Sequence, residues 1–198
     1  TNIDGCIFNP DQLVIQINPA PKSAIGIEVY DDEESKLFFE PSISFCQGKN
    51  VNVFTTAAND YTYEWNTGFQ GKVLEYSNIL NNVLIAGVYE FSLKTTDKVT
   101  GCTSISDKRT VNVNRFDGNI QITSATLGTM CEGIKHQLQL TNIIPNVQYQ
   151  WSNGKKTNAI ITDIGGTYFV TARDGNGCEA RSNELNIFLG PDASLVPS

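Results

Sequence analysis

The chain has 198 residues, 40% of them apolar and 18% charged, with 21 acidic and 14 basic side chains and a net charge of −7. These proportions are those of a folded soluble chain. The acidic excess argues against a nucleic-acid backbone as partner, and no apolar run is long enough to insert in a membrane as a helix. The charge divides as −2 over residues 1–18, −3 over 19–115, −1 over 116–190 and −1 over 191–198. The adjacent basic pairs Lys108–Arg109 and Lys155–Lys156 read as solvated strand or loop ends. With no initiating Met, leader or lipidation signal, the chain is expected to be processed or excised from a longer one.

Taken in chain order, the apolar residues alternate with period two and no helical stripe survives, so the fold class is expected to be all-β. Residues 1–18 carry Gly5 and Cys6 followed by Leu13, Ile15 and Ile17. They read as the terminal strand of a truncated preceding repeat. A short linker with two prolines covers 18–22. The alternation then predicts strands at 24–30, 51–56, 61–66, 88–95 and 110–114. A second short linker, 114–118, precedes strands expected at 119–124, 137–141, 147–152, 167–173 and 184–189. Asp174-Gly175-Asn176-Gly177 is a hairpin signal.

One pattern is written twice along these elements. Cys46, Tyr63, Trp65, Gly68, Gly87, Tyr89, Gly101 and Cys102 are matched in order by Cys131, Tyr149, Trp151, Gly154, Gly166, Tyr168, Gly177 and Cys178. The apolar positions after Cys6 recur at the same offsets after Cys178 (Leu185, Ile187, Leu189) and in part after Cys102 (Val111, Val113). The expected organisation is a repeat over 19–115, a second over 116–190 and a tail or linker over 191–198. Short linkers make the array a semi-rigid rod. Tyr63 and Trp65, like Tyr149 and Trp151, share one face of a strand, and with Tyr89 and Tyr168 they are assigned to the core rather than to ligand stacking.

Five cysteines in a small, loop-rich chain point to disulfides and an oxidising compartment. A metal site is the rival reading, but there is no C-x-x-C and a single histidine, His136. One pair per full repeat joins Cys46 to Cys102 and Cys131 to Cys178 and leaves Cys6 unpaired. These bridges would span 56 and 47 residues, each contributing roughly 4 kcal/mol in the loop-entropy model.

The chain resembles the Ig-like and PKD-like repeats of large secreted and cell-surface proteins of Bacteroidetes. The resemblance rests on Phe45-Cys46-Gln47-Gly48, Tyr63-Glu64-Trp65-Asn66-Thr67-Gly68, Gly87-Val88-Tyr89-Glu90-Phe91 and Gly101-Cys102, with their counterparts from Met130 to Cys178. It implies tandem immunoglobulin-like β-sandwiches, in which a tryptophan fills the middle and a tyrosine fixes a corner. It also implies the setting of adhesins, gliding-associated filaments and spacers of secreted enzymes, exported through the type IX route. The second cysteine departs from the antibody pattern, lying 13 or 10 residues after the tyrosine, where an antibody domain has it two on. Cys46 and Cys102 then fall near opposite ends of a sandwich, although bridged cysteines need Cα atoms within about 7 Å. Either the strand boundaries near Cys46 or the pairing must give. The pairing within each repeat is kept because the matched count favours it.

No convergent catalytic set is visible, so no enzyme activity and no cofactor is expected. His136 is assigned to the surface of a strand. The acidic run Asp31-Asp32-Glu33-Glu34 reads as a solvated loop, because neighbouring carboxylates on an extended chain point apart, and no metal is expected there. The first repeat is the longer: Ile25 to Cys46 spans 21 residues against 11 from Ile120 to Cys131, and Trp65 to Tyr89 spans 24 against 17. Its extra residues include Asp31, Asp32, Phe38, Phe39, Phe69 and Tyr76, which either cover the sandwich edge or contact a partner. The function expected is a non-catalytic structural repeat of an extracellular adhesin or surface filament, partnered by neighbouring repeats and by a surface glycan or protein ligand. A glycan-binding module of a secreted hydrolase is the alternative.

Overall fold

The computed structural model describes residues 15–30, 34–77, 82–125, 130–131 and 135–190, and these form β-strands and loops. The first module runs β1 (Ile25–Tyr30), β2 (Ser35–Phe38), β3 (Ser42–Cys46), β4 (Asn50–Thr55), β5 (Tyr61–Trp65), β6 (Val73–Tyr76), β7 (Gly87–Phe91), β8 (Leu93–Asp97), β9 (Thr103–Ile105) and β10 (Arg109–Asn114). The second runs β11 (Ile122–Ser124), β12 (Met130–Cys131), β13 (His136–Leu140), β14 (Gln148–Trp151), β15 (Ala159–Thr162), β16 (Gly166–Tyr168), β17 (Val170–Arg173), β18 (Glu179–Arg181), β19 (Leu185–Ile187) and β20 (Leu189–Gly190).

Each module is a two-layered sandwich. In the first, one layer has the order β2-β1-β4-β6, all antiparallel. The other is assembled from β5-β8-β9 and β3-β10-β7. β7 and β8 are one strand interrupted at Ser92, and β9 and β10 are its hairpin partner, so the two halves form one layer. The second module repeats this with β11-β13-β15 opposite β14-β17-β18, β16-β19 and β12-β20. The parallel ladders β3–β10 and β12–β20 occupy the same place in the two copies. A leading segment that pairs antiparallel in one sheet and then parallel to the last strand in the other is an immunoglobulin-like arrangement. The chain is two such sandwiches in tandem.

Alternation explains which layers meet. β4 buries Val51, Val53 and Thr55, and β13 buries His136, Leu138 and Leu140, while the residues between them face outward. The first core gathers Ile25, Ile27, Val51, Val53, Trp65, Phe91, Leu93 and Val111; the second gathers Ile122, Leu138, Tyr149, Trp151, Ile160, Tyr168 and Val170. Each aliphatic side chain so buried contributes roughly 1.5–3 kcal/mol. The two cores share no residue, but the linker belongs to the second, where Phe116 packs.

Two local expectations are corrected. His136 is 5% exposed and core-facing, because β13 begins one residue earlier than the alternation was started, putting His136 in phase with Leu138 and Leu140. The strands expected at 88–95, 167–173 and 184–189 are each broken, at Ser92, Phe169 and Phe188. Of the segment 1–18, residues 1–14 lie outside the described residues, and Ile15 and Ile17 lie in no strand and are 72% and 87% exposed.

Candidate functional site

The residues shared by the copies build a scaffold. Trp65 and Trp151 are each 1% exposed, and each indole Nε1–H donates to the backbone carbonyl six residues on, Gly71 at 2.9 Å and Thr157 at 2.7 Å. That bond clamps the turn after the tryptophan strand. There Gly68 and Gly154 hold φ of 85° and 83°, a conformation that favours glycine. Tyr89 and Tyr168 donate to carbonyls four residues upstream, Ile85 at 3.0 Å and Ile164 at 2.9 Å, as a tyrosine corner does. Tyr149 is buried and accepts the Ile144 amide at 2.7 Å, while Tyr63 is half-buried against the first core and donates to the Ala58 carbonyl. All six aromatic positions are therefore committed to packing.

Two serines that the sequence did not single out belong to the same scaffold. Where the hairpin between the seventh and tenth strands shifts register by one residue, the Ser106 hydroxyl accepts the Leu93 amide at 3.0 Å and the Ser106 amide donates to the Leu93 carbonyl at 2.9 Å. Ser182 does the same for Val170, at 2.9 Å in both bonds. A hydroxyl thus replaces a ladder carbonyl at a bulge.

The cysteines depart from the expected pairing. Cys46 is bridged to Cys178, with Cα atoms 5.4 Å apart, and Cys102 is a free thiol. The predicted Cys46–Cys102 and Cys131–Cys178 pairs are corrected accordingly. Cys46 ends β3, next to Asn114 at the end of β10 in the parallel ladder, so it sits where the chain leaves the first module. Cys102 sits in the β8–β9 hairpin, at the other end of the sandwich. No pairing inside one sandwich can span that length, whereas the corresponding hairpin of the next module meets Cys46 directly. Of Cys131 the backbone register is described, Cys131 opposite Gly190 as Cys46 is opposite Asn114. Cys6 lies outside the described residues.

The hairpins that carry the second cysteine are built alike. Asp97 accepts the amides of Val99 at 2.8 Å and Thr100 at 2.9 Å, and Asp174 accepts those of Asn176 and Cys178, both at 2.9 Å. Gly101 and Gly177 hold φ of 72° and 83° immediately before the cysteine. The Thr100 amide, then that of Val99, draws the Asp97 carboxyl below its ordinary range.

The inserted residues of the first module separate into two groups. Phe38 and Tyr76 pack against the first core, and burial, with Tyr89 as the lesser cause, raises the Tyr76 phenol above its ordinary value. Phe39 and Phe69 are each 44% exposed. Phe39 sets its edge against Phe54 at 6.2 Å between centroids. Phe54 lies over Gly26, its cross-strand partner, so closely that a Cβ there would stand 2.4 Å from the ring. Val73 faces Phe54 from β6. An apolar row, Phe39–Phe54–Val73, therefore crosses the outer face of this sheet. It leads to an open groove of about 540 Å³ lined by Phe69, Val73, Tyr76, Thr67, Glu75 and Asn82. In the second module Thr123, Gln139 and Ala159 stand in the register of Gly26, Phe54 and Val73, so the aromatic and branched apolar residues of this row have no counterpart at those positions. Asp31 and Asp32 lie outside the described residues.

No family model matches the sequence, and no curated protein is similar to it. Among solved structures it is similar to the full ectodomain, Ig1 to Ig3, of mouse nectin-like molecule 4, at 10% identity over 90% of this chain and 67% of that one, with a TM-score of 0.30. It is also similar to the amphioxus IgVJ-C2 molecule, at 17% identity over 74% of this chain and 100% of that one, with a TM-score of 0.28.

Proposed function

We propose that the chain is a non-catalytic structural repeat segment of a long extracellular adhesin or surface filament. It acts as a disulfide-stapled spacer that presents a binding region and is partnered by neighbouring repeats. One observation carries this reading: the Cys46–Cys178 bridge joins two separately cored sandwiches, so it fixes the relation between modules instead of stapling either one. Disulfides persist in oxidising compartments, which agrees with a place outside the cell. The residues repeated between modules are spent on packing, as suits a unit whose reach comes from its number of copies. Antibody raised to the chain is expected to label intact, unpermeabilised cells of the source organism. Labelling that requires permeabilisation would overturn the reading.

The alternative, a glycan-binding module, loses its tryptophans, since both are buried. What favours a ligand on the first module is the Phe39–Phe54–Val73 row, because apolar and aromatic faces stack on sugar rings or seat apolar side chains. A glycan array probed with the whole chain and with a Phe39→Ala, Phe54→Ala variant tests it. Binding that disappears in the variant supports the glycan reading, and equal or absent binding removes it.

A further inference from the structure

The bridge joins the first cysteine of one module to the second cysteine of the next, and the same two positions recur in both modules. Cys178 follows a glycine of positive φ in an aspartate-capped hairpin and is bonded to Cys46, at the end of the preceding module's β3. Cys102 follows a glycine of positive φ in the equivalent hairpin, also aspartate-capped, and carries a free thiol. A second observation lies beside it. Ile15 and Ile17 stand at the same offsets from Cys6 as Val111 and Val113 do from Cys102. Val111 and Val113 are buried in β10, whereas Ile15 and Ile17 are exposed. By offset these exposed residues correspond to the last strand of a sandwich, and they stand directly before the module that presents Cys102.

We propose that the Cys102 end of the first module docks against the opposite end of a further module of this same kind. Cys102 there forms a disulfide with the cysteine at that module's Cys46 position. The two thiols lose two electrons and two protons and become one cystine. The electrons pass by thiol–disulfide exchange to a small-molecule disulfide such as oxidised glutathione, which leaves as two thiols. The backbone of Cys131, in the register of Cys46, places it to play the donor part toward a following module. The Cys102 bridge and the Cys46–Cys178 bridge would enclose overlapping stretches, both containing residues 46–102, so successive loops interlock along an array. The inference goes beyond the surface-spacer reading and holds whether or not the array is an adhesin.

The test replaces residues 1–17 of the full chain with a further copy of residues 19–113, which joins Val113 of the copy to Asn18. After refolding in a glutathione redox buffer, thiols are alkylated and disulfide peptides are mapped by mass spectrometry without reduction. The expected result is a peptide linking the copied Cys46 to Cys102, with Cys102 alkylation falling about tenfold or more, as the mM effective concentration of tethered thiols implies. Retention of the Cys46–Cys178 peptide reports that the original modules have folded. With that control intact, continued alkylation of Cys102, or pairing of the copied Cys46 with the copied Cys102, overturns the proposal. A Cys102→Ser version of the extended chain must return the copied Cys46 to the alkylated pool; if it stays bridged, the proposal fails.

Discussion

The two tyrosine corners look alike in sequence but differ in what their hydroxyls hold. In the second module the Ile164 amide donates to Thr162 Oγ1 at 3.1 Å, Thr162 Oγ1 lies 2.7 Å from the Tyr168 hydroxyl, and that hydroxyl donates to the Ile164 carbonyl at 2.9 Å. This ring closes around buried Thr162. In the first module the Tyr89 hydroxyl meets the Ile85 carbonyl at an exposed position. Opening a buried network leaves polar atoms without water or partner, whereas an exposed hydroxyl is replaced by solvent. Tyr168→Phe is therefore expected to destabilise the second module by about 1–3 kcal/mol and Tyr89→Phe the first by less than about 1 kcal/mol. Urea unfolding followed through resolved amide signals of each module measures both; equal costs would show that the ring does not act as a unit.

Strands long enough to alternate were legible from the residues, because one apolar side chain in two must face a core. β2, β3, β6, β9, β12, β15 and β18 were not, since each is an edge or hairpin segment of five residues or fewer whose alternation is short or exposed. The interruption of the longer strands was illegible for a different reason. A one-residue register shift leaves the apolar pattern of β7–β8 unbroken, and its marks, Ser106 and Ser182, are residue types that suit any loop. The aromatic scaffold was legible because large side chains at fixed offsets have few places to go. The disulfide was not, because a count of cysteines does not say which module each one faces. The serines offer a test of the bulge. Ser182→Ala removes the acceptor of the buried Val170 amide and Ser106→Ala that of the Leu93 amide. Hydrogen exchange at Val170 and Leu93 should quicken in the respective variants, with a stability loss of about 1–3 kcal/mol for Ser182→Ala. Since Ser106 is less buried than Ser182, its loss should be the smaller. Unchanged exchange at both amides would mean that the hydroxyls do not hold the bulge.

At the scale of the whole chain, the bridge decides which residues bear load. Cys46 and Cys178 are 132 residues apart in sequence, and tension applied to the two ends of the chain crosses from one to the other through the disulfide. The residues between them, including residues 115–121 between β10 and β11 and most of both sandwiches, stay inside a closed loop and cannot be drawn out. Only the segments outside the loop extend. When the bridge is reduced, the same tension runs through the linker and both modules. Unfolding then releases the enclosed length, roughly 450 Å at about 3.5 Å per extended residue. Single-molecule stretching of the chain held at both termini should therefore show a contour length shorter by about that amount in the oxidised form than in reducing buffer. A Cys46→Ser, Cys178→Ser variant should behave as the reduced form under either condition. The separate cores predict that this variant keeps both sandwiches folded, with the linker gaining freedom, so its X-ray scattering should show a broader distribution of intermodule distances. The spacer proposed above would gain from this arrangement, because its length under load would be set by a covalent bond instead of by the unfolding strength of small cores. Equal contour lengths in the oxidised and reduced forms would show that the bridge lies outside the path of force.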